Sequence, residues 1–320
     1  MSEMLGELNA SHTGARYRTL SSGGAGRLGV LYDLSYTGPG LKILEILPES
    51  RLQQVKPDLA AGDIITSVDG VKIEAGTPWY EALAYKVGKK TVLGIRSGHK
   101  DSTVTVKPVA SDAVGLYKRW VRQREQQVKA LSGGRVGYVH VKSMDSDSFR
   151  EVYSKALGKY RGCDALIVDT RHNGGGWLHD DLATFLSGKA YIDFVPRGQY
   201  IGTEPYNKWN KPSCVIIGED NYSDASGFPF VYKQLGIGKL IGAPVPGTMT
   251  AVWWETQIDP TIVFGIPEVT SLSRADGSVL ENQEIEPDIP VTNDPASVLR
   301  GQDKQIEAAV AEMLRQLDSK

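Results

Sequence analysis

The feature of this sequence that most constrains its fold is a series of short apolar runs in its second half. From residue 135 onward, runs rich in Val, Ile and Leu alternate with stretches of helical spacing. Continuous apolar runs are typical of strands buried on both faces, and strands that alternate with helices indicate βαβ units with parallel pairing. We therefore predict an α/β core. The predicted strands are 136–141, 164–169, 213–218 and 239–242, and the predicted helices are 145–157, 176–186 and 226–235.

A serine lies on one of the predicted strand-to-helix turns. The apolar run at 212–219 is followed by Asn-Tyr-Ser-Asp-Ala-Ser-Gly at 221–227. A hydroxyl in that position is exposed at the tip of a strand, close to helix N-terminal N–H groups that favour an oxyanion. The alternative interpretation is that Ser223 or Ser226 only caps the helix.

A second polar loop follows the preceding strand. It reads Asp-Thr-Arg-His-Asn-Gly-Gly-Gly at 169–176. Because ligands of such sheets lie beyond the carboxyl ends of the strands, we expect this loop to meet the one that carries Ser223. Three glycines let the backbone approach a bound group and direct N–H groups at it. The loop lacks the Lys-Ser/Thr pair of a P-loop, so a phosphate-binding enzyme is the weaker alternative to an oxyanion hole that faces a serine nucleophile.

A serine nucleophile needs a base, and the chain has five histidines. Two of them, His99 and His140, fall in or beside strands and are interpreted as structural. Spacing alone does not choose among His12, His172 and His179.

Residues 27–110 have a different character, with short strands separated by turn signals. Leu-Ala-Ala-Gly-Asp-Ile-Ile-Thr-Ser-Val-Asp-Gly at 59–70 contains an Asp-Gly hairpin turn between two strand-like runs. This segment resembles a PDZ domain, and the resemblance implies that it accepts a peptide as an added strand. We predict a groove edge at 40–43, with Gly40 and Leu41 as substrate-binding residues. The alternative is a small β-domain that only braces its neighbour.

Composition excludes several other classes. The formal net charge of -2 gives no electrostatic reason to expect nucleic acid, and the basic and aromatic residues at 117–124 are better explained as a solvated helix face. No apolar run approaches the roughly 20 residues of a membrane span. The two cysteines, Cys163 and Cys214, favour buried free thiols over a disulfide, and they have no metal spacing.

Four stretches in the same order resemble the tricorn group of the C-terminal-processing peptidases, peptidase family S41. They are Leu-Ile-Val-Asp-Thr-Arg-His-Asn-Gly-Gly-Gly at 166–176; Ser-Asp-Ala-Ser-Gly-Phe-Pro-Phe at 223–230 with Leu-Gly-Ile-Gly-Lys-Leu-Ile-Gly at 235–242; Leu-Glu-Asn-Gln-Glu-Ile-Glu-Pro-Asp-Ile at 280–289; and Glu-Met-Leu-Gly-Glu-Leu-Asn-Ala-Ser-His-Thr at 3–13. With the PDZ-like segment, the resemblance covers nearly the whole chain. It implies a crotonase/ClpP-like peptidase core of βαβ type within an α+β / α/β multidomain chain.

The resemblance also implies a catalytic tetrad. Ser223 would be the nucleophile and His12 the general base, with Ser11 and Glu281 orienting and polarising the histidine. Glu281 and Ser11 have plainer alternatives, as a hairpin turn and a helix end. The tetrad differs from the Ser-Lys dyad of the tail-specific branch, because no lysine stands at dyad spacing after Ser223.

The oxyanion hole and the substrate pocket follow from the same resemblance. The N–H groups of Asp224 and of a glycine, Gly175 or Gly176, would bind the oxyanion. Relatives prefer basic or hydrophobic residues at the cleavage site, and Asp193 lies where the acidic group of the pocket would fall. Tricorn proteases carry β-propellers that this sequence lacks, so we expect a piece of a longer protein.

We therefore predict a serine endopeptidase that acts on peptides or unfolded proteins, without metal or cofactor. The alternative is a non-catalytic peptide-binding scaffold. Family resemblance suggests a hexamer, and low cysteine content suggests the cytoplasm, with the periplasm as the alternative. The predicted domains are 1–26, the end of a helical subdomain with a glycine-rich loop at 21–26; 27–110, PDZ-like; 111–134, a connector; and 135–320, the peptidase core with an amphipathic helix at 303–317.

Overall fold

The computed structural model describes residues 2–17 and 24–319 of the chain. The first half of the predicted loop at 21–26 therefore lies outside the described residues. By its internal contacts the chain divides into two compact units. One unit is Met1–Arg18 with Arg124–Lys320, and the other is Thr19–Gln123.

The Thr19–Gln123 unit is an antiparallel sheet closed over its own apolar core. Alternating Val, Ile and Leu side chains from the strands meet in this core, among them Ile43, Ile65 and Ile95. The strand order is Val30–Tyr32, Leu41–Ile46, Ile64–Val68, Thr91–Ser97 and Lys100–Val106, with Val71–Lys72 also paired to Ile64–Val68; the short helices are Arg51–Val55 and Trp79–Ala82, and the helix Ala113–Ser132 begins here.

The predicted groove edge lies inside this sheet. Leu41–Ile46 pairs with Ile64–Val68 on one side and with Val30–Tyr32 on the other. Gly40 donates its N–H to a carbonyl of the same unit at 3.0 Å. The prediction that Gly40 and Leu41 form an open edge is therefore wrong, because their backbone is already engaged within the sheet. The strand at that end of the sheet is Val30–Tyr32.

The other unit is built on a five-stranded parallel sheet, as the apolar runs predict. Its strands are buried on both faces, which explains why the sequence shows continuous apolar runs rather than alternation. The strand order is Ile289–Pro290, Lys239–Gly242, Ser213–Ile217, Ala165–Asp169 and Val136–His140, all parallel. The helices are Ser2–Gly6, Ser146–Ser154 with a π-helical extension Lys155–Lys159, His179–Leu186, Asp224–Gln234, Pro295–Leu299 and Lys304–Asp318.

The C-terminal helix covers one face of this sheet. Asp303 is the N-cap of Lys304–Asp318, and its carboxylate accepts the N–H of Ile306 at 3.2 Å. Ile306, Val310 and Met313 are buried, which confirms the predicted amphipathic helix.

A buried ion network joins this helix to the strand Ala165–Asp169 and to Arg171, which follows that strand. Arg171 donates to Asp169 through Nε and Nη2, at 2.6–3.2 Å, and to both carboxylate oxygens of Asp303 through Nη1, at 3.1 Å. Gln305 accepts a further bond from Nη1 at 2.8 Å, and Tyr138 donates its hydroxyl to Asp169 at 2.8 Å. Because all three charges are buried, each depends on its partners to offset the cost of leaving water.

Shorter antiparallel strands surround the sheet. The N-terminal strand Gly14–Tyr17 pairs with Ile262–Gly265, although the two are far apart in sequence. This pairing holds the segment that carries Ser11 and His12 against the body of the unit. The remaining strand pairs are Ile262–Gly265 with Glu255–Thr256, Thr250–Val252 with Pro267–Thr270, and Ile192–Phe194 with Gly202–Glu204.

Some features are absent from the described residues, 2–17 and 24–319. No helix in them combines the length and hydrophobicity needed to cross a bilayer. They contain no cluster of three or more His, Cys, Asp or Glu side chains suited to a metal ion. Cys163 and Cys214 are free thiols, and Cys214 is buried.

Candidate active site

Ser223 stands between the strand Ser213–Ile217 and the helix Asp224–Gln234, which we call the serine helix. Its φ of 58° and ψ of -126° are rarely adopted by a residue with a side chain, and such strain is concentrated at functional sites. Its N–H donates to Thr248 Oγ1 at 2.8 Å, which helps to hold the turn. Ser226 is different, because it is fully buried and its hydroxyl donates to a carbonyl oxygen at 2.9 Å.

His12 reaches Ser223 from the opposite end of the chain. Its Nε2 lies 2.8 Å from Ser223 Oγ, which is hydrogen-bonding distance. The backbone N–H of His12 donates to the hydroxyl of Tyr222 at 2.7 Å, and the two rings lie 4.9 Å apart. Tyr222 therefore fixes the histidine from the residue next to the serine.

The other ring nitrogen of His12 faces two hydroxyl groups. Nδ1 lies 2.9 Å from Ser11 Oγ and 3.0 Å from Thr250 Oγ1. Ser11 donates its hydroxyl to Glu281 Oε2 at 3.0 Å and its backbone N–H to Oε1 at 2.5 Å. Thr250 donates its own N–H to Oε2 at 3.1 Å. The structure thus brings together the four residues of the predicted tetrad, with the carboxylate one hydroxyl away from the imidazole.

The environment of His12 favours a neutral imidazole. Burial lowers its pKa below the ordinary value of 6.5, although the Glu281 carboxylate partly opposes the shift. A neutral imidazole with a proton on Nδ1, held by the hydroxyls, has a lone pair on Nε2 that points at Ser223 Oγ. This arrangement can accept the hydroxyl proton.

The glycine loop, residues 174–176, packs directly on Ser223. A Cβ on Gly175 (φ +99°) would lie 2.6 Å from the Cβ of Ser223, so this approach requires glycine. Gly175 donates its N–H to Asn173 Oδ1 at 2.9 Å and is therefore engaged. The N–H groups of Gly176 and Asp224 make no hydrogen bond to any described residue, and both residues line the cavity at Ser223.

The other predicted residues lie elsewhere or are paired differently. His172 is exposed and pairs with Asp220. His179 pairs with Asp224. Asp193 is exposed on the strand Ile192–Phe194 and lines a separate cavity of about 500 Å³ that does not include Ser223. The prediction that Asp193 supplies the acidic wall of the substrate pocket is therefore wrong for the cavity at Ser223.

The cavity at Ser223 has a volume of about 890 Å³ and several aromatic side chains in its wall. Three tryptophans line it, and the guanidinium of Arg16 lies 4.2 Å from the ring centroid of one of them, Trp254. Other lining residues are Trp177, His179, Met249, Thr250, Val252, Trp253, Val269 and Ser271.

Sequence reasoning missed Thr250 and Tyr222. Thr250 begins the strand Thr250–Val252, which follows the strand Lys239–Gly242 in sequence. The carboxyl end of Lys239–Gly242 shares an edge with the strand before Ser223. The rule that ligands gather at that edge could have identified this segment. Tyr222 is adjacent to the serine, but nothing in the sequence relates its hydroxyl to a residue at position 12.

The chain is similar to known proteins over nearly its whole length. Residues 135–291 match the model of peptidase family S41. The tricorn protease of Thermoplasma volcanium is 27% identical over 332 residues, which cover 99% of this chain and 32% of that protein. The tricorn protease homolog of Saccharolobus solfataricus is 28% identical over 327 residues, covering 98% and 30%. The crystal structure of the tricorn protease aligns with a TM-score of 0.87 at 25% identity, over 99% of this chain and 32% of that one.

The five-stranded sheet and the serine turn both lie within residues 135–291, the part of the chain that matches the model of peptidase family S41. Over nearly its whole length the chain is similar to tricorn proteases, and it spans about a third of their length.

Proposed function

We propose that the chain is a serine peptidase of the tricorn type. The observation that carries the proposal is the 2.8 Å contact between Ser223 Oγ and His12 Nε2, continued through Ser11 to the Glu281 carboxylate. A nucleophile, a base and a group that orients the base are the parts that acyl transfer requires. The family match supports the same activity.

In the proposed reaction, Ser223 Oγ attacks the peptide carbonyl carbon while His12 Nε2 takes its proton. Collapse of the tetrahedral intermediate breaks the C–N bond, and His12 returns the proton to the leaving amine. Water, deprotonated by His12, then attacks the acyl-enzyme and releases the second product. Glu281, acting through Ser11, stabilises the imidazolium that forms in both half-reactions.

The N–H groups of Asp224 and Gly176 are the proposed oxyanion donors. Both are without a partner in the described part of the chain, and each belongs to one of the two loops that meet at Ser223. The N–H of Gly175 already serves Asn173, so the contribution of Gly175 is the close approach that brings the loop to the serine. Preorganised donors of this kind are commonly a large part of catalysis.

We interpret the Thr19–Gln123 unit as a PDZ-like domain. Its outer strand Val30–Tyr32 and the ring of Trp79 line a cavity of about 500 Å³. An outer strand beside a cavity suits a peptide that adds to the sheet and places side chains in a pocket. The groove edge is therefore proposed at Val30–Tyr32.

Reaction with a fluorophosphonate tests the proposed activity. We expect one covalent adduct on the pure chain, mapped by peptide mass spectrometry to Ser223, because a serine activated by His12 attacks such phosphorus centres. His12→Gln is expected to slow labelling at least about a hundredfold, since general base catalysis contributes that much or more. A folded wild-type chain that takes no label would instead favour a non-catalytic peptide-binding scaffold.

The cavity also predicts the preferred substrate. Its wall contains three tryptophans and Arg16, and Asp224, the one acidic residue among the described lining residues, is already paired. We expect fluorogenic peptides with Phe or Leu beside the cleaved bond to exceed matched Lys peptides in kcat/KM by about tenfold to a hundredfold, because burying a large apolar side chain is worth about 1.5–3 kcal/mol. Faster cleavage of the Lys peptide would contradict this expectation.

A further inference from the structure

The side chain of Asp224 accepts three hydrogen bonds at the start of the helix His179–Leu186. Its Oδ2 accepts the N–H of Leu178 at 2.5 Å and that of His179 at 3.0 Å. Its Oδ1 contacts His179 Nδ1. Asp224 is 7% exposed, so this carboxylate is almost removed from water.

These bonds tie together the two walls of the proposed oxyanion hole. Asp224 is the first residue of the serine helix and offers its backbone N–H to the oxyanion. Leu178 and His179 come directly after the glycine loop and Trp177, and the loop offers the N–H of Gly176. The Asp224 carboxylate therefore links Leu178 and His179, which follow the donor Gly176, to the residue that carries the second donor, Asp224 itself.

The same carboxylate presents an electrostatic difficulty. The side chain of Asp224 belongs to the same residue whose backbone N–H is proposed to bind the oxyanion. An unpaired negative charge on this carboxylate would therefore repel the negative charge that develops on the tetrahedral intermediate. In a partly buried site such repulsion is stronger than in water. A protonated His179 forms an ion pair with the carboxylate, and the net charge of this pair is zero. The N–H donors can then bind the oxyanion without repulsion from Asp224.

We propose that His179, in its protonated form, is the positioning residue of the oxyanion hole, and that it holds and neutralises the Asp224 carboxylate. This inference rests on the proposed serine peptidase activity. His179 is assigned no contact with the reacting atoms. Its action passes through Asp224, whose carboxylate it anchors and whose charge it balances.

The charges around the ring are consistent with this role. The charges that act on His179 are Asp224 from the serine helix and Asp180 and Asp181 from its own helix, and His12 and Arg16 line the same cavity. The hydrogen bond with Asp224 raises the pKa of His179 above 6.5, whereas burial lowers the pKa of His12 below 6.5. His12 must be neutral and His179 protonated, so kcat should rise through the lower pKa and fall through the higher one.

The test compares the pH profiles of wild type and His179→Asn, with a fluorogenic Phe peptide as substrate. Asparagine keeps a hydrogen-bond donor near Asp224 but carries no charge. We expect kcat of the variant at pH 6.5 to fall about tenfold to a hundredfold, with little change in KM, because a disturbed oxyanion hole acts on the transition state. The acidic limb, set by His12, is expected to remain, and the alkaline limb is expected to disappear. His172→Asn removes the exposed pair with Asp220 and should change neither limb.

The double variant His179→Asn/Asp224→Asn separates charge from folding. It removes the negative charge that His179 balances, so its kcat should exceed that of His179→Asn by at least about threefold, a non-additive result for residues in contact. The inference is overturned if His179→Asn keeps the wild-type alkaline limb, or if the double variant is slower than the single one. Absence of hydrolysis by wild type would refute the proposed function itself.

Discussion

Replacement of Ser223 by alanine is expected to lower kcat/KM for peptide hydrolysis by at least about a thousandfold. The substitution removes the proposed nucleophile, while His12 and the proposed oxyanion donors stay in place. The effect should fall on kcat rather than on KM, because substrate binding does not depend on the hydroxyl. Ser223→Ala/His12→Ala should be no slower than Ser223→Ala alone, since the two residues act as one unit. Initial rates at saturating peptide provide the measurement.

Ser226→Ala is the matched control for this substitution. Ser226 lies three residues further on, is fully buried and donates its hydroxyl to Pro246 O at 2.9 Å. Its loss should lower the free energy of unfolding by about 1 kcal/mol and leave turnover within a few-fold of wild type. If Ser226→Ala were inactive and Ser223→Ala active, the assignment of the nucleophile would be wrong.

Replacement of Arg171 by methionine is expected to lower the free energy of unfolding by about 3–5 kcal/mol. Methionine has a similar length but leaves the buried carboxylate of Asp169 without its cation, and it leaves Asp303 with Arg124 Nε at 3.4 Å; the two carboxylates are 0% and 2% exposed. The loss is a large share of the roughly 5–15 kcal/mol by which folded domains are stable. Urea unfolding followed by circular dichroism provides the measurement.

An exposed ion pair provides the control for Arg171. Arg150 pairs with Asp147 at 3.2 Å, and both side chains are more than three quarters exposed, at 79% and 92%. Arg150→Met should change the free energy of unfolding by no more than about 0.5 kcal/mol, because surface pairs are largely solvated. Equal losses for the two variants would mean that the buried network is no more important to stability than a surface pair.

The core could be predicted from the sequence because burial leaves a strong pattern there. The run 164–169 is apolar throughout because its strand is covered on both faces, and the observed strand is Ala165–Asp169. Helix starts were predicted less well. The serine helix begins at Asp224 rather than 226, and the helix after the glycine loop begins at His179 rather than 176. The side chain of Asp224 satisfies N–H groups at that second start, and this depends on a contact between distant segments.

Pairing partners and pocket walls could not be predicted in the same way. The resemblance to a PDZ domain predicts a groove edge at 40–43, but an inner and an outer strand of similar sequence pattern differ only in their neighbours. The family resemblance predicts Asp193 in the substrate pocket, but the hairpin that carries it lines a separate cavity. Thr250 and Tyr222 contribute through hydroxyl groups, which are common on surfaces and have no distinctive spacing.

The pairing of Gly14–Tyr17 with Ile262–Gly265 has a kinetic consequence. His12 lies 211 positions from Ser223 in sequence, and this four-residue strand fastens it to the unit just beyond the histidine. Short terminal strands open and close at free energies well below that of global unfolding. For the proposed peptidase, the turnover number would then be the intrinsic rate multiplied by the fraction of molecules in which the strand is docked. If the docked and undocked states were equal in free energy, half of the molecules would be inactive at any moment. If the docked state were favoured by about 1.4 kcal/mol, roughly a tenth would be inactive. Substitutions in Gly14–Tyr17 would therefore raise or lower the turnover number in graded steps, without altering any group that takes part in the proposed reaction.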